Sequence, residues 1–415
     1  MMDYIFFYCN WLCQHDHNKM MGVEGMFNIS EEVLEKQQAT NTIKEIRQQP
    51  QVWQELIKGL RDRKDELEQF ISSIYNKHDQ VRVVFTGAGT SAFIGDILAP
   101  ELSKQADEKV RFEAVPTTDI VSNPTAYLTK AVPTILVSFA RSGNSPESLA
   151  SVSLGEQLVD DFYQVVVTCN AEGGLAKNIE QDEKAITILT PEVAHDQGLA
   201  MTSSFTCMMI AAYTLFSKDD FADEPINQVI HNAEAFSERV GDDVDEILQK
   251  DFNRIAYLGS GSLAQLSHEA SLKMLELTAG NVVSMFESSL GFRHGPKSIL
   301  NDASVVVLFL SQDAYTRKYD MDMLRELSGE ATDIKVVAVT DQKDEAVAEL
   351  ADKTVVVNQE DKPFTSDFHL AFQYIMLAQV LAVKKSLALD ITPDNPSPTG
   401  AINRVVQGVT IHSFN

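Results

Sequence analysis

RVVFTGAGTS, residues 82–91, and RIAYLGSGSL, residues 254–263, decide the fold of this chain. Each begins with an arginine, continues as a run of β-branched and aromatic residues, and turns on closely spaced glycines. Such apolar runs suit strands buried on both faces of a parallel sheet. Gly87 and Gly259 stand 172 positions apart (259 − 87), so one strand–turn–helix unit is used twice.

Outward from the first copy, the β-rich runs predict strands at Arg82–Phe85, Arg111–Val115, Thr134–Ser138, Gln164–Thr168 and Ala185–Leu189. From the second copy they predict strands at Arg254–Leu258, Val282–Glu287, Ser304–Leu310, Lys335–Val339 and Thr354–Val357, closed by an apolar helix from Asp367 to about Ala388. Strands that alternate with helical stretches imply an α/β fold of two tandem doubly wound parallel sheets. From Ser30 to Tyr75 apolar residues recur at three- and four-residue spacing, which predicts helices, and Ser30 before Glu31 and Glu32 reads as a capped start. Asp219–Lys250 reads as an acidic helical connector, and the stretch after Ile391, with three prolines, as an extended tail on the folded body. The division expected along the chain is an extension over 1–25, a helical preface and first domain over 26–218, a connector and second domain over 219–390, and a tail over 391–415.

The 415 residues carry 34 Lys and Arg against 60 Asp and Glu, a net charge of −26 that repels a polyphosphate backbone and argues against nucleic acid. With 44% apolar and 23% charged residues the composition is that of a globular chain. Cys9, Cys13, Cys169 and Cys207 are too scattered for a disulfide framework, which points to a reducing cytoplasm. The apolar stretch Tyr4–Cys13 falls far short of the roughly 20 residues of a membrane helix and lacks a basic flank, so neither a signal peptide nor a membrane span is expected. Cys9, Cys13, His15 and His17 are spaced poorly for zinc, and the plainer reading is an upstream extension with Met26 opening the domain proper.

Gly87-Ala88-Gly89-Thr90-Ser91 lies between a strand and a helix, where backbone N–H groups and the helix dipole favour an anion. With Ala92 it also matches a dinucleotide-binding pattern, Glu113 standing in for the ribose acid, so a nicotinamide-dependent oxidoreductase and a ligand-free turn remain open at this point. The loop after the third strand, Ser138 to Ser148, shifts the balance. Neighbouring strands of such a sheet release their loops at one edge, so hydroxyls of Ser91, Ser142 and Ser145, with Gly143 and Arg141, can converge on one phosphate monoester. Ser145 before Pro146 also reads as a helix N-cap.

With these motifs the chain resembles the tandem sugar isomerase (SIS) domain enzymes, whose domains are flavodoxin-like three-layer sandwiches. Within them it is similar to the tagatose-6-phosphate ketose/aldose isomerases, also described as galactosamine-6-phosphate deaminases, and to the isomerase half of glucosamine-6-phosphate synthase. The resemblance implies a cytoplasmic aldose/ketose isomerase and deaminase on hexose or hexosamine 6-phosphates, without cofactor or metal, assembled as a homodimer or larger homo-oligomer. It implies a phosphate cradle of Gly89, Thr90, Ser91, Ser142, Gly143 and Ser145, a proton shuttle at Glu276 with Lys273 as its partner, and ring opening by His294 in Gly-Phe-Arg-His-Gly-Pro-Lys, 291–297. Thr202 and Ser203 become candidate substrate contacts, and His195, Asp196, His268 and Glu269 stand equally as functional or structural residues. Gln407 takes the place of the synthase's tail lysine, which argues against a Schiff base through the tail. The second repeat's loop, Leu310 to Thr316, lacks the Ser-Gly core, so its phosphate site is expected to have decayed. A non-catalytic sugar-phosphate sensor would keep the hydroxyl loops without needing Glu276 or His294.

Overall fold

The computed structural model describes residues 25–218, 224–398, 400, 403–404 and 408–414. Cys9, Cys13, His15, His17 and Gln407 lie outside them. In chain order the elements begin with helices α1 (Glu31–Lys36), α2 (Thr40–Arg47), α3 (Gln49–Asp62) and α4 (Lys64–Lys77). The first α/β series is β1 (Val81–Thr86), α5 (Thr90–Ser103), β2 (Val110–Ala114), α6 (Thr117–Ser122), α7 (Pro124–Tyr127), β3 (Thr134–Ala140), α8 (Pro146–Leu158), β4 (Phe162–Thr168), α9 (Gly174–Lys177), β5 (Ala185–Leu189) and α10 (Ser203–Phe216). Helices α11 (Glu224–Ser237) and α12 (Val240–Leu248) form the described part of the connector. The second series is β6 (Arg254–Gly259), α13 (Ser262–Leu277), β7 (Val283–Ser288), β8 (Ser304–Phe309), α14 (Thr316–Ser328), β9 (Lys335–Thr340), α15 (Glu345–Ala348), β10 (Lys353–Val356) and α16 (Asp367–Ala388). The ten predicted strands are all present, each within two residues of its expected ends.

Compact packing divides the chain into two units. Among the described residues, one holds 51–196, 203–218, 224, 403–404 and 408–414, and the other holds 25–50, 197–202, 225–398 and 400. In the first unit five parallel strands take the order β2-β1-β3-β4-β5. In the second the order read from β7 is β7-β6-β8-β9-β10, again wholly parallel. Both are the flavodoxin-like order, so one topology is built twice.

The first sheet is packed through Phe85, whose ring stacks on Phe112 at 5.8 Å and meets Phe216 of α10 edge-on at 5.7 Å. β3 and β4 are buried over their whole lengths, as expected of central parallel strands. The close strand-to-helix turn needs its glycines: a Cβ on Gly87 would lie 2.6 Å from the Ser91 backbone, and one on Gly259 would lie 2.7 Å from the Leu263 backbone.

In the second unit all 22 residues of α16 are buried, so this helix is enclosed on every side. Leu258, Leu308, Leu310, Met323 and Leu324 form an apolar cluster around β8. Ser30 accepts from the Val33 N–H, the expected cap of α1. The cap of α2 comes from far along the chain: the Asp394 carboxylate accepts from the Thr42 N–H at 2.8 Å, the Thr42 hydroxyl at 2.7 Å and the Asn41 N–H at 3.1 Å. Among the described residues no helix is long and apolar enough to cross a membrane.

Leu308 is fully buried in β8. Leu308→Ala should lower the unfolding free energy by about 2–5 kcal/mol, seen as a lower urea midpoint at unchanged m.

Candidate functional site

In the first unit β1 and β3 are hydrogen-bonded neighbours that end at the same edge. Their loops hold the predicted phosphate residues. Thr90 and Ser91 open α5 and are buried, behind Gly89 at φ +55°. Gly143 turns with φ +68°, and a Cβ there would come within 3.3 Å of Gly173 Cα, so the second loop also needs its glycine. Ser145 stands at the cap position with Pro146 first in α8, but its hydroxyl does not cap the helix; it pairs with the Ser148 hydroxyl at 2.6 Å.

This second loop is clamped from the loop after β4. Asn170 Nδ2 donates to the Ser142 carbonyl at 2.9 Å, Gly174 N–H donates to Asn144 Oδ1 at 2.8 Å, and Leu175 N–H donates to the Gly143 carbonyl at 3.0 Å. Sequence reasoning missed Asn170 and Gly173; the available signal was an Asn two residues past the end of a predicted strand of the same sheet. Glu113, the alternative ribose acid, is held by Arg82 at 2.6 Å and Arg111 at 2.9 Å.

Arg141 is buried and donates to the Arg404 carbonyl at 3.0 Å, while the Arg404 guanidinium donates to the Asp196 carbonyl. Burial holds His195 below its ordinary pKa, and the Arg404 and Arg141 guanidiniums add to the shift. The imidazole therefore stays neutral near pH 7 beside two cations. The Asp196 carboxylate accepts from the N–H groups of Ser203 and Ser204 and from the Ser204 hydroxyl, at 3.1, 3.0 and 2.5 Å, which fixes the start of α10. Asp196 is thus a helix-anchoring residue, and Ser203 is buried on that helix. Thr202, also buried, falls in the second unit.

The second unit carries the predicted acid–base residues. Glu269, Lys273 and Glu276 fall at i, i+4 and i+7 on α13, one face of the helix. Lys273 Nζ lies 3.3 Å from Glu269 Oε1 and 2.6 Å from Glu276 Oε2. The Lys273 and Glu269 side chains are fully buried, whereas Glu276 keeps 19% of its side chain exposed. Burial alone would lower the lysine's pKa, but the two carboxylates outweigh it and raise the value. A buried ion cluster is weak evidence for stability and stronger evidence for a site. Glu276, with one accessible edge and a fixed cation behind it, can exchange a proton with something outside; Glu269 can only balance charge.

His268, on the same helix, stacks on Phe286 at 3.8 Å, and burial lowers its pKa to about 4. That makes it a neutral packing residue at physiological pH. His294 is exposed on a loop between two 3₁₀ turns, Gly291–Arg293 and Pro296–Ile299, and is not among the groups bonded to the lysine cluster. Arg293 and Lys297 pair with Glu326 at 2.5 and 3.0 Å and pin that loop to α14. Among the described residues no group of three or more His, Cys, Asp or Glu is arranged to hold a metal ion.

Both α/β series match known proteins. The SIS domain profile matches residues 76–218 and again 247–387. The chain is 41% identical over 376 residues to the D-galactosamine-6-phosphate deaminase AgaS of Escherichia coli, covering 90% of this chain and 96% of that one. It is 41% identical over 390 residues to the enzyme of the same name from Shewanella sp. strain ANA-3, covering 93% and 95%. The crystal structure of tagatose-6-phosphate ketose/aldose isomerase from Escherichia coli superposes with a TM-score of 0.83 at 37% identity, covering 91% of this chain and 97% of that one.

Lys273→Met leaves Glu269 buried without its cation and should cost about 3–5 kcal/mol in urea unfolding. Because the folded-state pKa of Lys273 is raised, its stabilisation is complete below the ordinary lysine value of 10.5 and is lost as pH climbs through the folded value. Melting temperatures followed above pH 10 should therefore fall less steeply for K273M than for the parent protein.

Proposed function

The chain belongs to the SIS domain family, and from that premise we propose that it converts galactosamine 6-phosphate and water to tagatose 6-phosphate and ammonia. The observation that carries this reading is the Glu269–Lys273–Glu276 cluster, in which one carboxylate alone reaches the surface of a buried charge network. The relatives of 41% identity span nearly the whole chain and are deaminases of that sugar. A protein that only sensed sugar phosphates would have no use for so costly a cluster.

The chemistry follows from the residues. His294 opens the pyranose ring by proton transfer, its exposed loop suited to meeting substrate in a homodimer or larger homo-oligomer. The 6-phosphate is held by the hydroxyls of Thr90, Ser91, Ser142 and Ser145 and by amides around Gly89 and Gly143, with Arg141 nearby; Thr202 and Ser203 contact the sugar. Glu276 removes the C2 proton of the open-chain aldehyde, and the electron pair passes to the C1 carbonyl oxygen to give an enaminol. Proton return to C1 yields the C2 iminium; water adds at C2, the C2–N bond breaks, and ammonia leaves. The buried Lys273 ammonium, 2.6 Å from Glu276 Oε2, orients that carboxylate. With a hydroxyl at C2 the same shuttle is an aldose–ketose isomerisation. The electron sink is the sugar's own carbonyl or iminium carbon, and the compartment is the cytoplasm.

Glu276→Gln should slow exchange of the C2 proton with solvent by about 10²–10⁴-fold while sugar-phosphate binding persists; full exchange in a folded E276Q protein would remove Glu276 from the role of base. Incubation with hexose and hexosamine 6-phosphates, with ammonia and ketose measured together, should give both products in equal amounts from galactosamine 6-phosphate. Ketose without ammonia from every compound tested would reduce the activity to isomerisation.

A further inference from the structure

The two units repeat one another at the level of single residues around their glycine turns. Gly87 and Gly259, Thr117 and Ser289, and Ser148 and Asp320 are each 172 positions apart. The backbone repeats as well: Thr117 N–H donates to the Gly87 carbonyl at 2.8 Å, and Ser289 N–H donates to the Gly259 carbonyl at 2.7 Å. The third pair keeps the same helical phase, since Ser148, Ser151 and Gly155 are the buried positions of α8, while Asp320, Met323 and Leu327 take the corresponding buried places on α14. Where the first unit has the Ser148 hydroxyl beside the phosphate loop, the second therefore has a carboxylate.

That carboxylate is fully buried and seated as a ligand would be. Asp320 Oδ1 accepts from the Ser260 hydroxyl at 2.5 Å and from the Ser289 hydroxyl at 2.6 Å, and Oδ2 accepts from the Ser311 backbone N–H at 3.0 Å. The three donors come from the loops after β6, β7 and β8, the same loop set that surrounds the cradle in the first unit. Two hydroxyls and a backbone amide converging on one anion at a strand-to-helix turn is the chemistry that recognises a phosphate monoester. Asp367 extends the pattern, accepting from the Ser311 hydroxyl at 2.7 Å and the Gln312 N–H at 2.6 Å.

We propose that the second repeat retains its anion cradle and that Asp320 fills it, so that the site is occupied from within rather than dismantled. Loss of the Ser-Gly core from the second loop removes hydroxyls that would bind a sugar phosphate, while the Asp320 carboxylate takes up the donors that remain. The cradle still favours an oxyanion, and the chain supplies one.

Reciprocal substitutions test this, with uptake of inorganic phosphate per chain measured by ³¹P NMR titration. Asp320→Ser, which installs the residue of the first repeat, should bind one more phosphate than the parent protein. Ser148→Asp should place a carboxylate against the Ser145 hydroxyl and abolish sugar-phosphate binding in a protein that still unfolds cooperatively. A folded D320S protein with no added uptake would overturn the proposal. If D320S does not fold, S148D decides, since normal sugar-phosphate affinity there would show that a carboxylate at this helix position does not fill the cradle. The S148D arm rests on the reading of the first loop as a phosphate cradle, and the D320S arm does not. Failure of that reading would appear as a parent protein that takes up no phosphate, with the gain in D320S unaffected.

Discussion

Parallel pairing is the constraint on which the rest of the molecule depends. Strands that run the same way must be joined by crossovers, so helices cover both faces and the strands become continuous apolar runs. They must also finish at one edge, which gathers the strand-to-helix loops and the helix N-termini into a single rim. Donors left over by the sheet and helix ladders collect there, and both units put them to use. In one they surround Thr90, Ser91 and Ser142; in the other they close on Asp320.

Charge is handled locally in a chain whose overall balance is −26. Phosphate recognition by hydroxyls and amides needs little net positive charge, so global acidity and a phosphorylated substrate are compatible. The buried cation of the second unit, Lys273, is matched by two carboxylates of unequal exposure, Glu269 fully buried and Glu276 partly open. In the first unit burial, aided by the guanidiniums of Arg404 and Arg141, holds the His195 pKa below its ordinary value, a further instance of placement overriding composition.

The strands were legible because central parallel strands leave dense apolar runs, as in Ile135–Val137 and Val305–Phe309. The repeat was legible from its glycines. The lysine and Glu276 were legible as a helical i, i+3 pair, but only their burial separates them from the solvated pairs that such spacing usually gives. The surroundings of Glu269, Asp196 and His268 are distinct only in the folded chain, because burial, capping and ring stacking join residues that the sequence spaces no differently from surface ones. Asn170 reaches the Ser142 carbonyl 28 residues away, and Asp320 reaches the Ser289 and Ser260 hydroxyls 31 and 60 residues away, beyond any local pattern.

The cap on α2 sets a timetable. Its acceptor, Asp394, is made 352 residues after Thr42, a delay of roughly 20 to 70 s at ribosomal speeds of about 5–20 residues per second. Through that interval the early helix lacks its carboxylate, and the second unit, which combines described residues from 25–50 with those from 225 onward, cannot be completed until Asp394 has been made. The sheet of the first unit has all its strands by Leu189 and can assemble while the ribosome is still at work. The nascent chain can therefore assemble this inner sheet first, while the early helix α2 waits for a carboxylate made 352 residues later.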